Sequence, residues 1–88
     1  MLIFVSLGKM RKKPDKPLTS NATDRMEGFK QKGIKILNWY WTLGRYDVIV
    51  VFEAPNEKEA LKLNLGFADI VATETMVAIP RQEALQLL

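Results

Sequence analysis

The stretch NWYWTLGRYDVIVVFEAP, Asn38 to Pro55, sets the reading of the whole chain. Two runs of strand-forming residues flank Gly44-Arg45, and a glycine at the first central position of a two-residue loop supplies the positive φ that a type II′ hairpin needs. Setting Leu43 opposite Tyr46 pairs Thr42 with Asp47, Trp41 with Val48, Tyr40 with Ile49, Trp39 with Val50, Asn38 with Val51, Leu37 with Phe52 and Ile36 with Glu53. A four-residue loop keeps the same pairs. Because side chains alternate across a strand, one face carries Leu37, Trp39, Trp41, Leu43, Tyr46, Val48, Val50 and Phe52, almost wholly apolar. The other carries Ile36, Asn38, Tyr40, Thr42, Asp47, Ile49, Val51 and Glu53, polar groups among aliphatics, and is the face on which function is expected.

Around this hairpin the remaining elements fall into a symmetrical order. Leu2 to Leu7 is a continuous apolar run of strand length, as in a central strand covered on both sides. Gly8 to Pro17 reads as a mobile loop, since Pro14 and Pro17 remove backbone donors and push their predecessors toward extended conformations. A helix is predicted from an N-cap at Thr19 or Ser20, with Ala22, Met26 and Phe29 on one stripe and Gly33 as a left-handed C-cap. After Pro55, Asn56 with Glu59 resembles a capping box and opens a second helix. Its predicted packing side holds Ala60, Leu61, Leu65 and Ala68, flanked by Leu63 and Phe67, with Asn64 as a polar side chain among them. Val71 to Ile79 alternates as a fourth strand, Pro80 stops it, and residues 80–88 read as a short C-terminal helix with Ala84, Leu85 and Leu88 on its apolar stripe.

Strand, helix, strand, strand, helix, strand, joined by right-handed crossovers, is the α+β ferredoxin-like βαββαβ arrangement: a single domain with an antiparallel sheet ordered 4-1-3-2 and helices on one face. The Trp39 and Trp41 face is expected under the helices. The other sheet face is left uncovered with more contiguous aliphatic surface than soluble proteins usually expose, so a homodimer or higher oligomer pairing two sheets face to face is expected. At 88 residues, with no cysteine and no histidine, disulfides, thiol nucleophiles, common zinc sites and histidine-ligated haem are excluded. No cofactor or metal is called for, and self-association remains as the extra source of stability for so small a core. The apolar opening is too short for a signal sequence and nothing approaches membrane-spanning length, which points to the cytoplasm.

The net charge of +3 is local: Lys9, Arg11, Lys12, Lys13 and Lys16 against Asp15 give +4 in one short stretch, leaving the remainder slightly acidic. A nucleic-acid groove should spread its charge over a folded face, and the sheet offers no exposed aromatic pattern of the RNA-binding kind, so nucleic acid is disfavoured as a partner.

Tyr40-Trp41-Thr42-Leu43-Gly44-Arg45-Tyr46-Asp47, followed by Glu53-Ala54-Pro55 and Thr73-Glu74-Thr75, resembles the GYD domain family, whose signature Gly-x-Tyr-Asp falls on Gly44, Tyr46 and Asp47. The likeness covers nearly the whole chain and implies a relative of the dimeric α/β-barrel, ferredoxin-like proteins, in a family without an established activity. A more distant resemblance is to the amino-acid-binding effector domain of Lrp/AsnC-type regulators, here with no helix-turn-helix before it. The expected role is therefore a stand-alone small-molecule-binding, effector or assembly module. Tyr40, Thr42, Arg45, Asp47 and Glu53 are the candidate ligand-binding residues, for a small anionic or amphoteric metabolite. The alternative is a cofactor-free enzyme of oxygenase or isomerase type, in which a buried Asp47 or Glu53 acts as base and Tyr40 as donor.

Overall fold

The computed structural model describes all residues, Met1–Leu88. In chain order the elements are β1 (Leu2–Met10), α1 (Lys16–Lys30), β2 (Lys35–Trp41), β3 (Val48–Ala54), α2 (Glu57–Gly66), β4 (Val71–Ala78) and α3 (Arg81–Leu85). The four strands form one antiparallel sheet in the order β2-β3-β1-β4, the predicted order viewed from its other edge. Met26 of α1 and Ala60 and Leu63 of α2 share one core with Phe4 and Phe52 of the sheet, so both helices lie on the same face. This is the ferredoxin-like α+β fold expected from the order of elements.

Cross-strand pairing arranges the helix-covered face in rows. Ile36, Phe52, Phe4 and Val77 form one row, Trp39, Val50, Ser6 and Thr75 the next, and Trp41, Val48, Gly8 and Thr73 the third. The first is the filled end of the molecule. Phe4 and Phe52 stack with ring centroids 5.4 Å apart, Phe52 is completely enclosed, and Ile34, Ala54, Ala60, Leu63 and Phe67 surround them. The opposite face also runs in rows: Tyr40, Ile49, Leu7 and Glu74, then Asn38, Val51, Val5 and Met76, then Lys35, Glu53, Ile3 and Ala78. No element of the chain covers it.

Short-range chemistry accounts for the helix ends. Gly33, at φ +93°, closes α1: its N–H donates to the Lys30 carbonyl at 3.3 Å and the Ile34 N–H to the Phe29 carbonyl at 3.3 Å. These two bonds make a Schellman motif with its usual apolar partners, Phe29 and Ile34. Asn56 caps α2 by accepting from the Glu59 N–H at 3.0 Å. The two helices meet at Gly66, where a Cβ would come within 2.5 Å of the Phe29 ring, so any larger residue there would displace that ring.

Several expectations are corrected. The hairpin has a four-residue loop and no two-residue type II′ turn: the Thr42 N–H donates to the Asp47 carbonyl at 2.8 Å, leaving Leu43 to Tyr46 outside the ladder. Gly44 still supplies the positive φ, +102°. The predicted register holds from Trp41–Val48 to Asn38–Val51, but a bulge between Ile36 and Asn38 then shifts it, pairing Ile36 with Phe52 and Lys35 with Glu53. An extra residue in one strand exchanges the faces beyond it, so Ile36 joins the core and not the open face. The first helix starts one turn earlier than predicted. Asp15 is its N-cap, accepting from the Leu18 N–H at 2.8 Å, and Pro17 is tolerated because first-turn N–H groups need no intrahelical acceptor. With β1 running to Met10, the irregular segment shrinks to Arg11 through Asp15. Arg11 is tied down there: its N–H donates to the Ile70 carbonyl at 2.8 Å and its Nε to the Ala68 carbonyl at 2.9 Å. On α2 the buried side is Ala60 and Leu63, continued by Phe67, whereas Leu61 and Leu65 are exposed.

Candidate functional site

The tryptophan rows are not filled like the phenylalanine row. Trp39 and Trp41 lie on the helix side, as predicted, but they remain 37% and 64% exposed on the edge strand. Between them, α1 and the sheet is a cavity of about 290 Å³. Its origin is side-chain size. Ser6 and Gly8 lie on its floor, and between Leu18 and Met26, which both pack against the core, α1 presents only Thr19, Ala22 and Thr23 to the space. Leu18, Met10, Val48, Val50, Ile70 and Val71 complete apolar walls, and no charged side chain lines the space.

One polar chain crosses this interior. The Thr75 hydroxyl donates to Asn64 Oδ1 at 3.1 Å and lies 2.9 Å from the Ser6 hydroxyl, joining β4, α2 and β1. Asn64, predicted as a polar side chain on the packing face of α2, is thus held by a side chain of the sheet. Every buried polar side-chain atom finds a partner, which is the ordinary condition for a polar group inside a small core.

The five residues singled out from the sequence do not form one cluster. Tyr40 is exposed on the open face, its hydroxyl accepting from Asn38 Nδ2 at 2.8 Å. Glu53 lies on the same face four residues along β3 from Ile49, the partner of Tyr40, a separation of roughly 14 Å at about 3.4 Å per residue. Thr42 and Asp47 do come together, beside a second pocket of about 200 Å³ shared with Met10, Pro14, Trp41 and Val48. Both are engaged within the chain. The Thr42 hydroxyl donates to the Tyr46 carbonyl at 2.8 Å, and Asp47 Oδ2 accepts from the Met10 N–H at 2.7 Å. Arg45 makes no ion pair with Asp47; its guanidinium lies over the Tyr46 ring at 5.7 Å. The Tyr46 hydroxyl donates to Glu74 at 3.0 Å; that bond, helped by desolvation and the carboxylate's charge, raises the phenol's pKa although Arg45 opposes it.

Residues that the sequence reading did not assign to a site, Ser6, Thr73, Trp39, Trp41 and Ala22, are those that line the cavity. For Ser6, Thr73 and Ala22 the signal lay in the pattern: small or hydroxyl residues within strands and a helix stripe whose neighbours are large and apolar.

Fold, uncovered sheet face and neutral interior cleft together define a small ferredoxin-like α+β module. The sequence model of the GYD domain matches residues 8–88, and the chain belongs to the GYD domain family, as its Gly44-Arg45-Tyr46-Asp47 signature implied. The crystal structure of FFRP-DM1 has a similar fold, with a TM-score of 0.57 over 90% of this chain and 100% of that chain at 22% identity. No curated protein matches the sequence.

Proposed function

We propose that this protein is a non-enzymatic small-molecule-binding module, and that its ligand occupies the cavity between α1 and the sheet. The observation that carries the reading is a largely apolar space of about 290 Å³ flanked by two partly exposed tryptophans. Core side chains are normally packed to crystal-like density, and a void of this size, at the lower end of the ~300–1,000 Å³ range of ligand pockets, suits a compact organic molecule and not a haem or dinucleotide. On this reading Thr42, Asp47 and Arg45 brace the hairpin beside the mouth, while Tyr40 and Glu53 belong to the open sheet face. That face, with Ile3, Val5, Leu7, Ile49, Val51 and Met76 contiguous, supports the further reading that two copies pair through it.

An enzyme with a carboxylate base is the less favoured reading, because no carboxylate lines the larger cavity. Both tryptophans of the chain border that cavity, Trp41 also bordering the smaller pocket, so their emission reports on the cavity and the Ala22→Phe variant separates the two spaces. Titrating a panel of small metabolites should shift tryptophan emission and raise the melting temperature together, since a ligand stabilises by binding the folded state. Ala22→Phe, which fills the space from the helix side, should abolish both responses. A panel that stabilises the protein equally in the A22F variant, or one that leaves emission and melting unchanged throughout, overturns the assignment.

A further inference from the structure

The polar chain within the cavity has a direction, and the direction selects a ligand. Thr75 has a single hydroxyl proton, which it donates to Asn64 Oδ1 at 3.1 Å. The Ser6 hydroxyl, 2.9 Å from the Thr75 oxygen, must then be the donor in that contact. Asn64 is left with its acceptor occupied and its amide Nδ2 without a partner in the chain. No buried polar side-chain atom is unsatisfied, so Nδ2 keeps some accessible surface, and Asn64 is among the residues that line the cavity. An amide in this orientation offers two protons and no lone pair.

Resting on the reading of this cavity as a ligand site, we propose that its ligand is a neutral, planar molecule of one or two rings bearing a carbonyl or equivalent hydrogen-bond acceptor, received by Asn64 Nδ2. Three observations converge on that class. Charge is absent from the lining, so a carboxylate or ammonium would be desolvated without compensation. Trp39 and Trp41 on one strand, two residues apart, give aromatic surface that favours a flat partner. The free polar function offered by Asn64 is a donor, which an acceptor on the ligand satisfies and a hydrocarbon leaves bare. The bond from Thr75 to Oδ1 leaves Nδ2 as the free group of the amide.

Three naphthalenes of similar shape test this: the ketone 2-acetonaphthone, the hydrocarbon 2-ethylnaphthalene and the anion 2-naphthoate, each titrated against tryptophan emission. The ketone should bind about tenfold more tightly than the hydrocarbon, the increment of one hydrogen bond, and the carboxylate most weakly. In Asn64→Leu the ketone and hydrocarbon should bind alike. Because that change leaves the Thr75 hydroxyl without its acceptor, the double variant Asn64→Leu/Thr75→Val is measured beside it; the selectivity ratio, not the melting temperature, is the readout. Equal binding of ketone and hydrocarbon by the natural sequence, or tightest binding of the carboxylate, overturns the ligand class while leaving the cavity as a binding site. A ketone preference that survives both variants shows that another group receives the carbonyl and overturns the role of Asn64. Failure of all three probes overturns the class as well, and the parent reading falls with it only if the metabolite panel also leaves the tryptophans unchanged.

Discussion

Asp47 places a carboxylate where a strand would otherwise supply a carbonyl. Its own N–H continues the β1–β3 ladder by donating to the Gly8 carbonyl at 2.8 Å, and its Oδ2 receives the Met10 N–H beyond the end of β3. What matters at this position is an acceptor, so Asp47→Asn should retain most of the stability, whereas Asp47→Ala leaves a partly buried N–H unpaired and should cost about 1–3 kcal/mol in urea unfolding. Equal losses in the two variants would show that the charge is what matters. A second carboxylate tests a long-range tie: Asp69 pairs with Arg25 at 2.7 Å, and Arg25 also donates to the Gly66 carbonyl at 2.9 Å, fastening α1 to the end of α2. The hydrogen bond from Arg25, more than its charge, holds the Asp69 carboxyl at about 2 against an ordinary 3.8. A depressed carboxylate stabilises the fold above its unfolded pKa and loses that contribution as pH falls through the folded value. Acid unfolding between about pH 4 and pH 2 should therefore be less steep in Asp69→Asn than in the natural sequence, with the difference vanishing below pH 2.

Among the elements, α1 combines the best and the worst of what sequence makes legible. Its C-terminus was readable because Gly33 is required by a local backbone geometry, and the cap of α2 was readable at Asn56 for the same reason. The start of α1 was not, because Asp15 competes with Thr19 and Ser20 as a cap and Pro17 reads equally well as loop or first turn; the choice depends on where β1 delivers the chain. Tertiary geometry also decides the bulge at Leu37 and the buried side of α2, where Leu61 and Leu63 are equally apolar and only the sheet's position distinguishes them. For the candidate site the polar pair Thr42 and Asp47 was found, but a cavity is an absence of side-chain volume at the meeting of six elements, and no single stretch announces it. Gly28 offers a test at this scale. It sits exposed within α1 with nothing near the position of a Cβ, so Gly28→Ala should stabilise the protein by about 1 kcal/mol through helix propensity. A lower melting temperature in that variant would mean that the exposed side of α1 is covered in the assembled protein.

The whole molecule is thin, with extents of 46 × 31 × 17 Å, as expected of one helical layer on one sheet. Nothing in the chain covers the other side of that sheet, where Val5 and Val51 face each other across the two central strands, with Met76 beside Val5 on β4 and Asn38 beside Val51 on β2. Exposed leucines also occur elsewhere, Leu61 at 54% and Leu65 at 66% on α2, so exposure alone does not choose the surface through which copies would pair. The sheet face is favoured on two grounds: its aliphatics are contiguous over three strands, and a flat pleated surface can bury its counterpart with little loss of side-chain freedom. Light scattering should then show a dimer or larger species at micromolar concentration. Val51→Lys, which sets an ammonium at the centre of that face, should give monomer or unfolded chain, because burying an unpaired charge costs several kcal/mol. Leu65→Lys, a similar change on the outer side of α2, should leave the assembly intact. If L65K dissociates the protein and V51K does not, the pairing surface is the helical layer; the open sheet would then need some other cover, and the tryptophan-lined cavity beneath the helices would lie close to the subunit boundary.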